Sequence, residues 1–194
     1  MRISGGRARG IPLVVPRGNK VRPATDGLRQ AVFSSLGARV TECLFLDLFA
    51  GSGAYGLEAL SRGARGGAWV ERQADAVSCI RRNITAVCRS LERPETGLQV
   101  LPADATGVPW QDAVPPDLVF IDPPYDQIGA VAPRLFRRLS EVLGSHRDPL
   151  VVMEMPGEME LSLEGWSSVK RLGKGVRQPT VCFFKPVRGA LTAH

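Results

Sequence analysis

Asp122-Pro123-Pro124-Tyr125 joins an anion, two rigid backbone units and an aromatic face within four residues. The run before it, Leu118-Val119-Phe120-Ile121, is wholly apolar, so the tetrad is expected at the carboxyl end of a strand buried on both faces. A strand-ending turn would account for the prolines, which cannot continue a ladder, but not for the acid before them or the ring after them. Chemistry at an exocyclic base amine needs all of these parts. Such an amine is a poor nucleophile because its lone pair is delocalised into the ring. The Asp122 carboxylate and the Pro123 carbonyl can accept its two N–H groups and hold them out of plane, which returns lone-pair density to nitrogen. Pro123 and Pro124 keep that acceptor in place, and Tyr125 offers a face for the base, worth ~1–3 kcal/mol. No strong general base is required, since the amine becomes acidic only after alkylation and its proton can then pass to Asp122 or water. A base inside a duplex would have to be flipped out or presented from a loop.

Asp47-Leu48-Phe49-Ala50-Gly51-Ser52-Gly53-Ala54-Tyr55-Gly56 places glycines between an apolar run and the start of a helical pattern. Glycine allows a sharp turn and close approach to a ligand, and Glu71, about 20 residues on, suits hydrogen bonding to ribose hydroxyls. Those features fit a nucleoside cofactor without separating a nicotinamide dinucleotide from S-adenosylmethionine. Asp47, four residues before Gly51, favours the second, because a carboxylate in the cleft would repel a pyrophosphate but suit a sulfonium and an ammonium. Asp104, after a third apolar run, is placed to accept from an adenine amine. The candidate cofactor set is Asp47, Ala50, Gly51, Ser52, Gly53, Glu71, Arg72, Asp104 and Ala105, with Asp122 at its inner edge.

Alternating strands and helices must position these residues. Residues 43–49, 68–71, 98–101, 117–122 and 150–155 read as strands. Helical spacing follows Asp26, a candidate N-cap, through Leu28, Val32, Phe33 and Leu36 to a stop at Gly37. Further helices are expected after the glycine turn up to Gly63, over 74–90, and over 130–143, the last interrupted near Pro133. Two late runs, near 166–172 and 180–185, have no helix between them and read as an antiparallel pair. The pattern implies an α/β fold: a doubly wound, mostly parallel sheet of seven strands ending in a hairpin. Residues 1–24 show no helical period and read as an extended basic arm or small hairpin, residues 25–187 as the main domain and 188–194 as a tail.

Charge is concentrated in that first segment. Residues 1–40 hold Arg2, Arg7, Arg9, Arg17, Lys20, Arg22, Arg29 and Arg39 against one acid, Asp26, while the whole chain carries a net +6. A local excess suits a phosphate-binding arm better than a uniformly basic surface. Arg7, Arg9, Arg22 and Arg29, with Thr25, are the residues expected to hold RNA phosphates. The polar N-terminus lacks the apolar stretch of a signal peptide, no run approaches a membrane span, and a cytoplasmic chain is expected. Four cysteines without a C-x-x-C pair and two histidines predict reduced thiols and no metal.

With these residues in view, the chain resembles the bacterial RsmD family of 16S rRNA guanine-N2 methyltransferases. The resemblance runs over roughly residues 2–185. Its carriers are Ile3-Ser4-Gly5-Gly6 with Arg9-Gly10, Arg22-Pro23 with Thr25-Asp26 and Arg29, Phe49-Ala50-Gly51-Ser52-Gly53, Gly56-Leu57-Glu58-Ala59-Leu60-Ser61-Arg62-Gly63-Ala64, and the proline tetrad. The resemblance implies a Rossmann-like class I S-adenosylmethionine-dependent methyltransferase fold. It also implies transfer of one methyl to N2 of a guanine in small-subunit rRNA, with a partly assembled subunit carrying ribosomal proteins as substrate. Gln30 stands where the family commonly has glutamate, and Arg177-Gln178-Pro179-Thr180 where it usually shows Tyr-Gly-x-Thr. The competing readings are an amino-methyltransferase of another RNA or of DNA, a non-catalytic assembly factor, and an NAD-dependent oxidoreductase. The first is disfavoured for sequence-specific DNA by the lack of room for a target-recognition domain, the second by the intact Asp47, Asp122 and Tyr125, and the third by Asp47.

Overall fold

The apolar runs become the inner strands of one sheet. In the computed structural model, which describes residues 1–16, 24–107, 115–144, 146–173, 175–176 and 178–187, β1 (Leu44–Leu48), β2 (Gly66–Val70), β3 (Leu98–Leu101), β4 (Leu118–Ile121) and β5 (Leu150–Pro156) are parallel. β7 (Pro179–Pro186) inserts antiparallel between β5 and β6 (Trp166–Leu172), giving the order β3-β2-β1-β4-β5-β7-β6. The helices are α1 (Ala24–Leu36), α2 (Ala54–Ser61), α3 (Ala74–Leu91) and α4 (Ile128–Leu143). The expected seven-stranded sheet with its late antiparallel pair is present, each strand within two residues of its expected bounds. Among the described residues no helix is long and apolar enough to cross a membrane.

Because the inner strands are buried on both faces, alternate residues feed two cores. Phe45, Trp69, Phe120 and Val152 face Val32 and Phe33 of α1, Leu57 and Leu60 of α2, and Ile80, Ile84 and Val87 of α3. Leu46, Leu48, Val119, Ile121 and Met153 face Ile128, Ala132, Leu135, Phe136 and Leu139 of α4. Gly56 lets α2 lie close on the sheet: a Cβ there would stand 2.4 Å from Trp69 Nε1 and 2.5 Å from Phe45 Cε2. The Trp69 indole N–H donates to the Gly53 carbonyl at 3.1 Å, which fixes the turn at the head of the helix.

Two local expectations are corrected. Asp26 is not an N-cap, because α1 begins at Ala24; its carboxylate sits in the first turn and pairs with Arg29 at 3.0 Å. Nor does Pro133 interrupt α4, which begins two residues earlier than expected and runs through it. The carbonyl that Pro133 leaves without an intrahelical donor belongs to Gly129, an exposed residue that water can serve.

Residues 1–13 form a small hairpin, closed by Ile3 N–H to the Ile11 carbonyl at 3.0 Å and Leu13 N–H to the Met1 carbonyl at 3.1 Å. It is docked rather than extended: Ile3, Ala8 and Leu13 are buried in the core under α1–α3. Glu58 of α2, fully buried, accepts from the Ser4 N–H and hydroxyl at 2.8 Å each, from Arg62 Nε at 2.9 Å and from Arg29 Nε at 3.4 Å. At the end of α2 the Ser61 carbonyl accepts the Arg7 N–H at 2.7 Å, and a Cβ on Gly6 (φ +77°) would lie 2.1 Å from that same oxygen. Further along, Asn83 of α3 exchanges two bonds with the Val14 backbone and donates to the Ser52 carbonyl at 3.0 Å, tying the segment to the glycine turn.

Glu58→Ala is therefore expected to cost about 3 kcal/mol, because it strips a buried guanidinium of a partner, and to expose residues 1–16 to proteolysis. Urea unfolding with limited digestion checks this; stability unchanged within error would contradict it. A second expectation concerns Asp47 on β1, 2% exposed, whose Oδ2 accepts the Gly56 N–H at 2.9 Å. Burial pushes its carboxyl up to about 8 against that hydrogen bond, with the Glu71 charge adding to the rise. The native state thus keeps a proton that the unfolded chain releases, so this stabilisation is complete below the unfolded value of 3.8 and is lost as pH rises through about 8. Asp47→Asn, which keeps an acceptor for Gly56, should lose less stability than the wild type between about pH 5 and 8 in unfolding measured without added cofactor. Equal pH slopes would contradict the assignment.

Candidate active site

The parallel register sets one row of residues across the sheet: Leu101 pairs with Val70, Val70 with Leu48, Leu48 with Ile121, and Ile121 with Met153. The next residue on four of these strands is Glu71, Phe49, Asp122 or Glu154. The glycine turn and the proline tetrad are therefore neighbours, joined by Asp122 N–H to the Leu48 carbonyl at 3.4 Å. β1 and β4 lie where the strand order reverses, the place where open α/β sheets bind ligands.

Three residues of the turn, Phe49, Gly51 and Gly53, have positive φ of 57°, 56° and 79°. Phe49 bears that conformation with a side chain, a local strain of about 1 kcal/mol or more. The Gly51 N–H donates to Glu71 Oε2 at 2.9 Å, and Glu71 Oε1 accepts the Gln73 N–H at 2.8 Å. A Cβ at Gly51 would meet nothing within 4 Å, so the turn opens onto free space there. Ser52 is almost buried, its hydroxyl directed at the Met1 sulfur at 3.3 Å. Asp47 lies below the turn, bonded to Gly56. The expectation of a carboxylate offered directly in the cleft is corrected: the chain uses it to hold the head of α2.

Beyond β3, Asp104 accepts from the Thr106 hydroxyl at 2.6 Å and N–H at 2.8 Å, and Arg72 stands 3.5 Å from its other oxygen. Those Thr106 bonds, with the Arg72 charge, hold the Asp104 carboxyl below its ordinary value. Both side chains are about half exposed, whereas Ala105 is buried. Arg138 of α4 donates to the Thr106 carbonyl and braces the loop from the other face.

In the tetrad Asp122 and Pro124 are exposed, Pro123 is buried and Tyr125 is half-buried at the start of a single 3-10 turn, Tyr125–Gln127. The Tyr125 hydroxyl donates to Glu154 Oε1 at 3.2 Å, and the Tyr55 hydroxyl donates to Glu154 Oε2 at 3.4 Å. Neither Glu154 nor Tyr55 is among the residues expected from sequence. The available signal was an acid in the otherwise apolar run of β5.

The residues expected to hold phosphates are scattered. Arg7 and Arg9 are exposed on the hairpin beside the far end of α2, about 12 Å from the glycine turn at 1.5 Å per helical residue. Thr25 lies in the first turn of α1, and Arg22 falls outside the described residues. Arg29 is corrected. It is 2% exposed, and its guanidinium is held by Glu58, Asp26 and the Arg2 carbonyl, so it fastens the hairpin and presents nothing to a polyanion.

The comparisons with known proteins agree with this architecture. The family described as conserved hypothetical protein 95 matches residues 1–184. Ribosomal RNA small subunit methyltransferase D of Escherichia coli K12 is 36% identical over 125 residues, covering 64% of this chain and 60% of that protein. The chain thus spans about 60% of the length of that relative. YlbH of Bacillus subtilis is 32% identical over 167 residues, covering 83% of this chain and 85% of its own length. The solved structure of yhhF from Escherichia coli superposes with a TM-score of 0.72 at 28% identity, over 96% of this chain and 97% of that one. With its switch-point cleft, its glycine turn and its docked N-terminal hairpin, the chain belongs to the conserved hypothetical protein 95 family, the RsmD family.

Proposed function

We propose that this chain transfers a methyl group from S-adenosylmethionine to N2 of one guanine in 16S rRNA, presented within a partly assembled small ribosomal subunit. The observation that carries the reading is the adjacency of the Gly51 turn to Asp122-Pro123 in one row at the sheet's carboxyl edge. The Escherichia coli relative's name, an rRNA small subunit methyltransferase, supports the substrate class.

The backbone amides of the turn speak to the cofactor. A dinucleotide pyrophosphate needs free N–H groups at a helix N-terminus, yet here Gly51 donates to Glu71 and Gly56 donates to Asp47. Two amides of the turn and the head of α2 are thus already engaged by acidic side chains, which suits a ligand without phosphate. In this reading Glu71 retains lone pairs for ribose hydroxyls, the exposed Asp104 serves an adenine amine, and Ala50, Gly51, Ser52, Gly53, Arg72 and Ala105 complete the cofactor set. S-adenosylmethionine, when bound, supplies an electrophilic methyl on its sulfonium.

The chain's own residues prepare the nucleophile. The Asp122 carboxylate and the Pro123 carbonyl accept the two N–H groups of the guanine amine, and Pro124 keeps the acceptor rigid. The Tyr125 ring carries the base. Positioning and electrostatics are the main catalytic terms, and Asp122 or water receives the proton after transfer. Arg7 and Arg9 contact phosphates flanking the target.

Asp122→Ala is expected to lower turnover by about a hundredfold or more while S-adenosylmethionine affinity stays within a few fold. Calorimetry beside a single-turnover assay reads both, and a large loss of cofactor binding would overturn the assignment of Asp122 to the amine. Reversing charge at Arg7 and Arg9 should weaken RNA binding and reduce its salt slope by roughly one unit for each phosphate no longer neutralised. An unchanged slope in a salt titration would put the RNA surface elsewhere.

A further inference from the structure

Glu154 is an acid in the middle of an apolar strand, beside Asp122 in the register that pairs Met153 with Ile121. It is 8% exposed, and a carboxylate so buried is costly unless hydrogen-bonded. Its two oxygens each accept a tyrosine hydroxyl, Tyr125 at 3.2 Å and Tyr55 at 3.4 Å, and these are the chain's two tyrosines. The donors come from different parts of the site. Tyr55 stands two residues after Gly53 in the first turn of α2, its ring stacked on Phe120 at 5.2 Å and on Phe33 at 6.3 Å. Burial, with the Glu154 charge, holds its phenol well above the usual range, so it remains a donor. Tyr125 belongs to the tetrad and sits on a single 3-10 turn with its ring half-buried.

We propose that Glu154 is a positioning residue for the target base, clamping the Tyr125 ring over the tetrad and tying it through Tyr55 to the glycine turn. The inference rests on the reading that Asp122-Pro123-Pro124-Tyr125 receives a base amine. The Tyr125 ring packs against the core under α4, and the hydrogen bond at its far end adds a directional restraint on its two side-chain torsions. Misplacement of a reacting group by about 1 Å can cost up to a hundredfold in rate, so the tether acts on turnover rather than on binding. Glu154 touches no reacting atom; its effect passes through the Tyr125 hydroxyl. The same carboxylate couples the two halves of the site, since Tyr55 moves with the head of α2 and Tyr125 with the end of β4.

The test compares the wild type, Tyr125→Phe, Glu154→Gln and the double variant, using small subunits that lack the modification and methyl-labelled S-adenosylmethionine. Tyr125→Phe keeps the stacking face and removes the hydroxyl that makes the tether. Its kcat should fall about tenfold, with KM for subunits and cofactor affinity within about twofold. Glu154→Gln should fall at least as far, and the double variant no further than Glu154→Gln alone, because both changes act on the same hydrogen bond. Tyr125→Phe with the wild-type kcat, or losses that multiply in the double variant, would overturn the proposal. If thermal melting shows Glu154→Gln to be unfolded, Tyr125→Phe decides alone. No transfer by the wild type overturns the reading at Asp122 and this inference with it, whereas wild-type transfer with an unimpaired Tyr125→Phe overturns this inference only.

Discussion

The pairing register of five parallel strands is the constraint on which the site depends. With Leu101, Val70, Leu48, Ile121 and Met153 in one row, the chain must place Asp122 and Glu154 on adjacent strands and Glu71 on the other side of Phe49 along the same edge. Neighbouring strands lie about 4.8 Å apart, so Asp122 and Glu154 are one strand spacing apart and Glu71 is two spacings from Asp122. A slip of one residue in β4 would carry Asp122 away from the Gly51 turn and turn Val119 and Ile121 to the wrong core. The two cores, each built from alternate strand residues, therefore guard the chemistry as much as the stability.

Crowded carboxylates repel unless each is satisfied, and here most of the satisfaction comes from groups that also shape the cleft. Glu71 takes the Gly51 and Gln73 amides, Asp47 takes Gly56, and Glu154 takes two phenols. The same bonds fix the glycine turn, the head of α2 and the Tyr125 ring. The Gly51 and Gly56 amides are thereby engaged within the protein itself. On the far side of α2, Glu58 does for the hairpin what Glu71 does for the turn: one buried carboxylate gathers Ser4, Arg29 and Arg62. The N-terminal segment is consequently part of the domain's core, with exposed Arg7 and Arg9 on its outer side.

Much of this was legible in the residues. Buried parallel strands are continuous apolar runs, so the sheet and its order of strand and helix were readable, as was the cleft from two unlike turns following two such runs. What escaped depends on long-range pairing that no local pattern encodes. Arg29 reads as a surface cation because its partner Glu58 is 29 residues away and its burial follows from the docked hairpin. The hairpin itself buries Ile3, Ala8 and Leu13, a spacing of five that matches neither helical nor strand periodicity. Asp47 reads as a cleft residue from its place near a strand end, but alternation turns it towards α2. Glu154 meets tyrosines 29 and 99 residues away, so its partners could be found only in the folded chain.

The most direct measurement is the chemical identity of the product. Small subunits lacking the modification, incubated with the protein and methyl-labelled S-adenosylmethionine, are digested to nucleosides and separated. Label in N2-methylguanosine, absent with Asp122→Ala, is the predicted result. Label in any other nucleoside, or none while the cofactor still binds, would contradict transfer to a guanine amine at this site.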